Sequence, residues 1–253
     1  MPSISFNSSL HTMVVSEDGS FTAYSSEYEE HYHSTKDGAL HESLSKHVIP
    51  TFELLKGRDT LTILDICFGL GFNTLATLHY IKTQNLNVKV NIYSPELDGD
   101  LVRSLEHFSY PEVFEPYLSI IKSIAQTGHY VDDDISIKVI IGDARVFVRE
   151  SAIAFDIVYQ DAFSPSVNPL LWTSEYFSDI AKVIKEEGVL STYSIALPTR
   201  IALFENGFNL YLYRGKECRS STLASKRKLA TLEAVNVVHK MACNPNVQAL
   251  KDS

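Results

Sequence analysis

From residue 61 onward, short apolar runs alternate with segments of helical period. Runs at 61–66, 88–93, 135–141, 155–159, 189–195 and 208–213 are short enough for strands. Segments at 72–82, 97–108, 111–125, 144–150, 174–185 and 198–205 space their apolar residues for helices. Strand–helix alternation of this kind predicts a mostly parallel sheet covered by helices on both faces. The stretch after 220 adds a seventh strand and a short tail helix. Before residue 57 the pattern differs. Met13–Val15 and Phe21–Tyr24 flank a loop with Asp18 and Gly19, which predicts an antiparallel hairpin. Helical spacing follows from 39 to 56, and Pro50 predicts a kink or a break into two helices. The expected organisation is therefore a hairpin and helical extension at 1–57, joined in one compact unit with a domain at 58–253.

With 253 residues, 45% of them hydrophobic, the chain suits one such domain with modest additions. No apolar run reaches the roughly 20 residues that span a bilayer. The polar start at 1–10 lacks a secretory pattern, so the expectation is a cytoplasmic protein without a membrane partner. Cys67, Cys218 and Cys243 are too few and too widely spaced for a disulfide framework or a zinc set. The histidines form no convincing set of metal ligands with nearby acids, so no catalytic metal is expected. A net charge of −9 argues against attraction to nucleic acid over the whole surface. Lys216, Arg219, Lys226, Arg227 and Lys228 form a local basic cluster, which reads equally as a docking patch or a solvated rim.

Binding sites in parallel sheets lie outside the C-terminal strand ends, and acids recur there. Asp65 precedes a turn containing Gly69, Gly71 and Asn73, where glycines permit a tight turn and close ligand approach. Thr74 stands where a dinucleotide fingerprint has its third glycine, and the acid before the turn suits a cofactor with a cationic amino-acid end. Glu96 follows the second strand, placed either to bind two ribose hydroxyls or to cap a helix. Asp143 and Ala144 end the third strand, and Asp143 can receive an exocyclic amine while capping the next helix. Three acids in this order describe sites for methionine, ribose and adenine. The chain is therefore expected to be an S-adenosyl-L-methionine-dependent methyltransferase with a Rossmann-like α/β fold.

Asp161 ends the fourth strand beside the expected methyl donor. It opens the segment Asp161-Ala162-Phe163-Ser164-Pro165-Ser166-Val167-Asn168-Pro169-Leu170-Leu171-Trp172-Thr173. The aromatics and prolines of this loop either shape a pocket that stacks a base or make a rigid buried connection. With Tyr32-His33-Ser34, Gly38-Ala39-Leu40, Cys67-Phe68-Gly69-Leu70-Gly71-Phe72-Asn73 and Thr192-Tyr193-Ser194, this segment resembles the methyltransferase domain of the MnmC-type enzymes. The resemblance covers roughly residues 13–230. It implies methylation of the primary amine of 5-aminomethyl-2-thiouridine at the tRNA wobble position.

By the same resemblance, Asp161 is the catalytic residue, receiving a hydrogen bond from the amine. His33 lies near the cofactor, and Phe163, Asn168 and Trp172 contact the substrate; Lys226 and Arg227 of the basic cluster are the further candidate substrate contacts. The partners implied are tRNA and a separate supplier of aminomethyl tRNA, an FAD-dependent oxidoreductase or another upstream enzyme. The expected form is a stand-alone methyltransferase lacking the FAD domain. Two other readings stay open: an enzyme acting on a small amine, related to aminopropyltransferases, and a non-catalytic binding domain of the same fold.

Overall fold

A computed structural model describes residues 5–17, 19–216 and 218–252. Asp18 of the expected hairpin loop and Glu217 of the basic segment lie outside the described residues. The N-terminal segment forms an antiparallel sheet of β1 (His11–Val15), β2 (Phe21–Ser25) and β3 (Glu30–His31). A helical run follows: α1 (Ala39–Ser43), a wide π-type turn (Leu44–Val48) and α2 (Ile49–Leu54). Pro50 sits in the first turn of α2 and has no N–H to give the preceding turn. The hydroxyl of Thr51 compensates by donating to the carbonyls of His47 at 2.6 Å and Val48 at 3.1 Å. The expected kink is thus a widened turn.

The main unit continues with β4 (Thr60–Ile66), α3 (Phe72–Thr83), β5 (Lys89–Glu96), α4 (Gly99–Ser104), α5 (Leu118–Thr127), β6 (His129–Val131) and β7 (Ile135–Ile141). It ends with α6 (Ala144–Glu150), β8 (Phe155–Gln160), α7 (Ser174–Val183), β9 (Ile184–Thr192), α8 (Leu197–Glu205), β10 (Asn209–Tyr213), β11 (Ser221–Ser225), β12 (Glu233–Ala234) and α9 (Val237–Cys243). The strand order is β12-β10-β11-β9-β8-β4-β5-β7-β6. Its central members pair in parallel, while β11 runs antiparallel to β9 and β10. Seven of these strands are the expected core. The short β6 and β12 extend its two edges.

Successive strand side chains point to opposite faces. Ile63, Ile157 and Tyr159 therefore pack with Phe52, Leu75 and Ile121 on one face, while Leu64, Val158 and Leu190 pack with Phe177, Ile180 and Ile201 on the other. Burying each such apolar side chain contributes roughly 1.5–3 kcal/mol. The N-terminal extension shares the first core through Phe6, Ala23, Ala39 and Val48.

Two boundaries differ from the sequence reading for tertiary reasons. Helical period extends to 185, but α7 stops at Val183 because Ile184 pairs with Phe155 and is 2% exposed. The expected helix at 111–125 begins as a 3-10 turn, Glu112–Tyr117, because Pro116 denies it a donor. Regular α5 starts only at Leu118.

The chain leaves β4 toward β5 and β7 on one side, then returns to β8 and β9 on the other. Order reverses between β4 and β8, and the crevice beyond their C-terminal ends is the natural binding position.

Candidate functional site

The floor of that crevice is the turn after β4. Cys67 at φ 65°, Gly69 at φ 53° and Gly71 at φ 75° are all left-handed, so the chain reverses sharply into α3. A Cβ on Gly71 would stand 2.9 Å from Phe68 Cζ. The tight turn aims Gly69 N–H at Glu96 Oε2, 2.9 Å away. Burial and the surrounding carboxylates push the Cys67 thiol well up, which keeps it protonated and unreactive.

Asn73, in the first turn of α3, joins two acids. Its amide donates to Asp65 Oδ1 at 3.3 Å and to Asp161 Oδ2 at 2.9 Å. Thr74 Oγ1 donates to Asp65 Oδ2 at 2.9 Å. Burial pushes the Asp65 carboxyl up to about 8 against these hydrogen bonds, and the Asp161 charge adds to the rise.

Asp161 behaves in the opposite way. Burial alone would raise it, but His47, His33 and Asn73 together hold it below the usual carboxylate value. His47 Nε2 lies 3.4 Å from Asp161 Oδ1, and His47 Nδ1 is 2.9 Å from Ser191 Oγ. Asp161 is therefore an ionised carboxylate at neutral pH.

Farther along the crevice, Asp98 is the acid that caps α4, accepting from the N–H groups of Asp100 and Leu101. Glu96 is thereby free of the capping role. Its oxygens accept from Gly69 N–H and Asp98 N–H, each at 2.9 Å, and each retains lone-pair capacity for a ligand hydroxyl. Burial raises its pKa, with the backbone donors opposing. Asp143 caps α6 and lines the cavity with Ala144 and the exposed apolar side chains Leu97 and Ile141.

The N-terminal segment roofs the crevice. His11 Nε2 meets Asp98 Oδ2 at 2.8 Å, and Glu30 Oε2 accepts from Ser164 N–H at 3.0 Å. These contacts tie the roof to both ends of the site. Tyr28 stacks on Phe163 with ring centroids 4.7 Å apart, and Tyr32 tilts against the same ring at 4.9 Å. His33 packs edge-on to Phe72, and burial lowers its pKa despite the charges of Asp161 and Glu42.

Together these parts enclose a cavity of about 720 Å³, within the ordinary range for a ligand of cofactor size. Glu30, Glu42, Glu96, Asp98, Asp143 and Asp161 line it. Two guanidinium groups, Arg103 and Arg145, also reach it, but they are paired with Asp100 and Asp252. The cavity therefore favours a cationic ligand.

Of the residues singled out from sequence, Gly69, Asn73, Glu96, Asp143, Ala144, His33, Asp161, Phe163 and Asn168 line this cavity. Asp65 lies beneath it, bonded to Asn73 and Thr74, and Gly71 shapes the turn. Trp172 is fully buried and donates to Phe163 O at 2.8 Å, supporting the loop from below. Lys226 and Arg227 are elsewhere. Because β11 runs backward, they sit at the N-terminal end of the sheet. There Lys226 Nζ donates to Ile184 O at 2.9 Å and Arg227 lies 4.0 Å from Glu187. Neither lines this cavity.

Sequence reasoning missed His47, which only the wide turn brings to Asp161, and Glu30, Tyr28 and Tyr193 of the roof and wall. Among the described residues no group of three His, Cys, Asp or Glu side chains is arranged to hold a metal. Nor is any helix long and apolar enough to cross a membrane.

Residues 108–228 match a family described as S-adenosyl-L-methionine-dependent methyltransferase. The crystal structure of MNMC2 from Aquifex aeolicus superposes with a TM-score of 0.82 at 32% identity, covering 97% of this chain and 80% of that one. This chain belongs to that family of S-adenosyl-L-methionine-dependent methyltransferases. An uncharacterised protein of Methanocaldococcus jannaschii is 34% identical over 202 residues, 78% of this chain and 54% of its own length. A tRNA 5-methylaminomethyl-2-thiouridine biosynthesis bifunctional protein, MnmC, from Azoarcus sp. is 30% identical over 207 residues, 77% of this chain and 32% of its own length. The chain thus spans about half the first relative and about a third of the second.

S-adenosyl-L-methionine is the cofactor of this methyltransferase, and the crevice fits it. Asn73 Oδ1 is buried with no hydrogen-bond partner among the described residues, an acceptor suited to the ammonium of the methionine end. Glu96 is suited to the ribose hydroxyls. Asp143, beside Leu97 and Ile141, is suited to a flat base with an exocyclic amine.

Proposed function

We propose that this methyltransferase converts 5-aminomethyl-2-thiouridine to 5-methylaminomethyl-2-thiouridine at the wobble position of tRNA. The observation that carries the reading is Asp161, an ionised carboxylate lining the same acidic cavity as the stacked aromatic pair Tyr28 and Phe163. A base extended from a nucleic-acid strand binds by stacking on such rings, and a primary amine on that base needs an acceptor below it. The MnmC relatives, whose names carry this nucleoside, support the same reading.

S-adenosyl-L-methionine supplies a methyl group activated by a positively charged sulfur. The protein's task is alignment, which is worth several kcal/mol when the reacting groups are held in line. Asp161 accepts a hydrogen bond from the amine and fixes the direction of its lone pair. Asn73 and His47 hold the Asp161 carboxylate from two sides. Phe163, Tyr28 and Asn168 confine the base, and the roof excludes water.

The enzyme would work in the cytoplasm on tRNA already carrying the aminomethyl group. Another protein, an FAD-dependent oxidoreductase or an upstream tRNA-modifying enzyme, would supply it. Lys226 and Arg227 would then touch only a distal part of the tRNA.

The acidity of the cavity also favours a second reading, methylation of a small free amine. Both are tested by incubating the protein with radiolabelled S-adenosyl-L-methionine and tRNA carrying 5-aminomethyl-2-thiouridine, followed by digestion to nucleosides. Label in 5-methylaminomethyl-2-thiouridine is the expected result. Unlabelled tRNA alongside a labelled polyamine would favour the second reading.

A further inference from the structure

The fold divides the basic cluster of the sequence. Lys226 and Arg227 lie at the N-terminal end of the sheet, but the turn between β10 and β11 lies at the other. Tyr213 pairs with Ser221, and Thr222 pairs with Thr192. The turn therefore stands beyond the C-terminal end of β9, on the side where the cavity opens. It carries Lys216 and Arg219, both exposed and without an ion-pair partner among the described residues.

Thr222, near the start of β11, holds a third cation. Arg200, in α8, is 6% exposed and is the one buried arginine among the described residues. Its Nε donates to Thr222 Oγ1 at 3.1 Å, and Thr222 Oγ1 donates to Ser194 O at 2.7 Å. The guanidinium is thus tied to the segment that leads from β9 into α8. Nη2 is buried with no hydrogen-bond partner, and no acid among the described residues pairs with the group. A guanidinium stays charged in proteins, and a buried charge without a counter-charge is costly. The site is short of an anion.

The surroundings suit one. α8 begins without a side-chain cap, and Ile195 and Ala196 just before it are exposed. An uncapped helix start offers N–H groups and the positive end of its dipole, and helical side chains lean toward that end. The planar fork of an arginine matches the paired oxygens of a phosphate. Tyr193, one residue before Ser194, lines the cavity and donates from its hydroxyl to Ala162 O at 2.9 Å. Arg200 therefore stands beside the cavity wall and outside the acidic interior.

We propose that Arg200 is a phosphate-binding residue: with the start of α8 it takes a backbone phosphate of the RNA strand flanking the nucleotide that enters the cavity, and Lys216 and Arg219 continue the contact along the strand. Phosphate contacts of this kind fix the register of a nucleic acid while the pocket reads the base. A protein of net charge −9 then docks RNA through a few placed cations and not through its overall field.

This inference rests on the tRNA reading above. The test measures the affinity of wild type and Arg200→Gln for tRNA bearing the aminomethyl nucleoside across a salt series, with cofactor affinity in parallel. Gln keeps an amide donor toward Thr222 but removes the charge. The expected loss of RNA affinity at low salt is roughly tenfold. The slope of log affinity against log salt should become shallower by about 0.7, the value for one phosphate contact to a single strand, with cofactor affinity unchanged. An unchanged slope, whatever happens to affinity, would mark Arg200 as a structural group and overturn the role. If Arg200→Gln does not fold, Arg200→Met is read the same way.

Wild-type protein gives an independent reading. Replacing single phosphates beside the target nucleotide with neutral methylphosphonates should cost roughly tenfold at one position; no loss at any of them would overturn the proposal. Inorganic phosphate is the other source of the same chemistry. If it raises the unfolding temperature of wild type but not of Arg200→Gln, while the two share one RNA salt slope, the site serves a free anion and the RNA role falls. Wild type that binds no RNA would refute the tRNA reading itself, whereas RNA binding with equal slopes refutes only the part given to Arg200.

Discussion

Asn73 Nδ2 donates to Asp161 Oδ2 at 2.9 Å, linking the first turn of α3 to the end of β8 across the switch point of the sheet. The same amide nitrogen also contacts Asp65, so one side chain sets the spacing of two acids. Asn73→Ala removes a hydrogen bond to a charged group, worth about 1.5–3 kcal/mol. The expected result is a fall in kcat of roughly tenfold or more, read by single-turnover kinetics.

Asp161 lines the cavity but does not hold the Gly69 turn or Glu96. Asp161→Ala should therefore lower turnover by roughly 100-fold or more while changing cofactor affinity little. Isothermal titration with S-adenosyl-L-methionine beside rate measurements separates the two. Equal losses in both would contradict the assignment.

Asp65 makes a prediction about stability and pH. Its folded pKa, near 8, lies above its ordinary value of 3.8 because of burial. The folded state therefore binds its proton more tightly than the unfolded state does. The stability this contributes is complete below the ordinary value and is lost as pH rises toward about 8. Asp65→Asn removes this titration. The stability of the variant relative to wild type should improve with rising pH in that window, by at most about 1.4 kcal/mol per pH unit. Denaturant midpoints measured across the window check the slope; a difference independent of pH would contradict it.

Gly71 carries a steric demand that Gly57 does not. Both are left-handed, at φ 75° and 87°, but an added Cβ meets Phe68 at 2.9 Å only at Gly71; at Gly57 nothing lies within 4 Å. Gly57→Ala should cost about 1 kcal/mol from backbone strain alone. Gly71→Ala should cost about 2 kcal/mol or more, because Phe68 is buried and cannot move freely. Thermal unfolding of the two variants gives the comparison.

The core of the sheet was legible because buried strands and helices keep their own periods, and the acids Asp65, Glu96, Asp143 and Asp161 fall where strands end. The roles of the acids were less legible. Sequence alone left Glu96 between ribose ligand and helix cap, and the structure gives the cap to Asp98. His47 was hidden because a regular helix through Pro50 gives no reason to expect the wide turn that carries it to Asp161 and Ser191. Where Lys226 and Arg227 stand was not legible, because a cluster in sequence does not reveal which end of the sheet it reaches. The reversal of β11 carries them to the far end. Trp172 sat in a segment that reads as a pocket, yet the ring braces the loop from within the core.

The proposed substrate of this methyltransferase is an amine presented by tRNA. The most direct measurement follows label from S-adenosyl-L-methionine in three parallel reactions: tRNA bearing 5-aminomethyl-2-thiouridine, the same tRNA without the aminomethyl group, and a free polyamine. Label is expected in the first alone, recovered as 5-methylaminomethyl-2-thiouridine. Label in the polyamine, or equal label in both tRNAs, would contradict it.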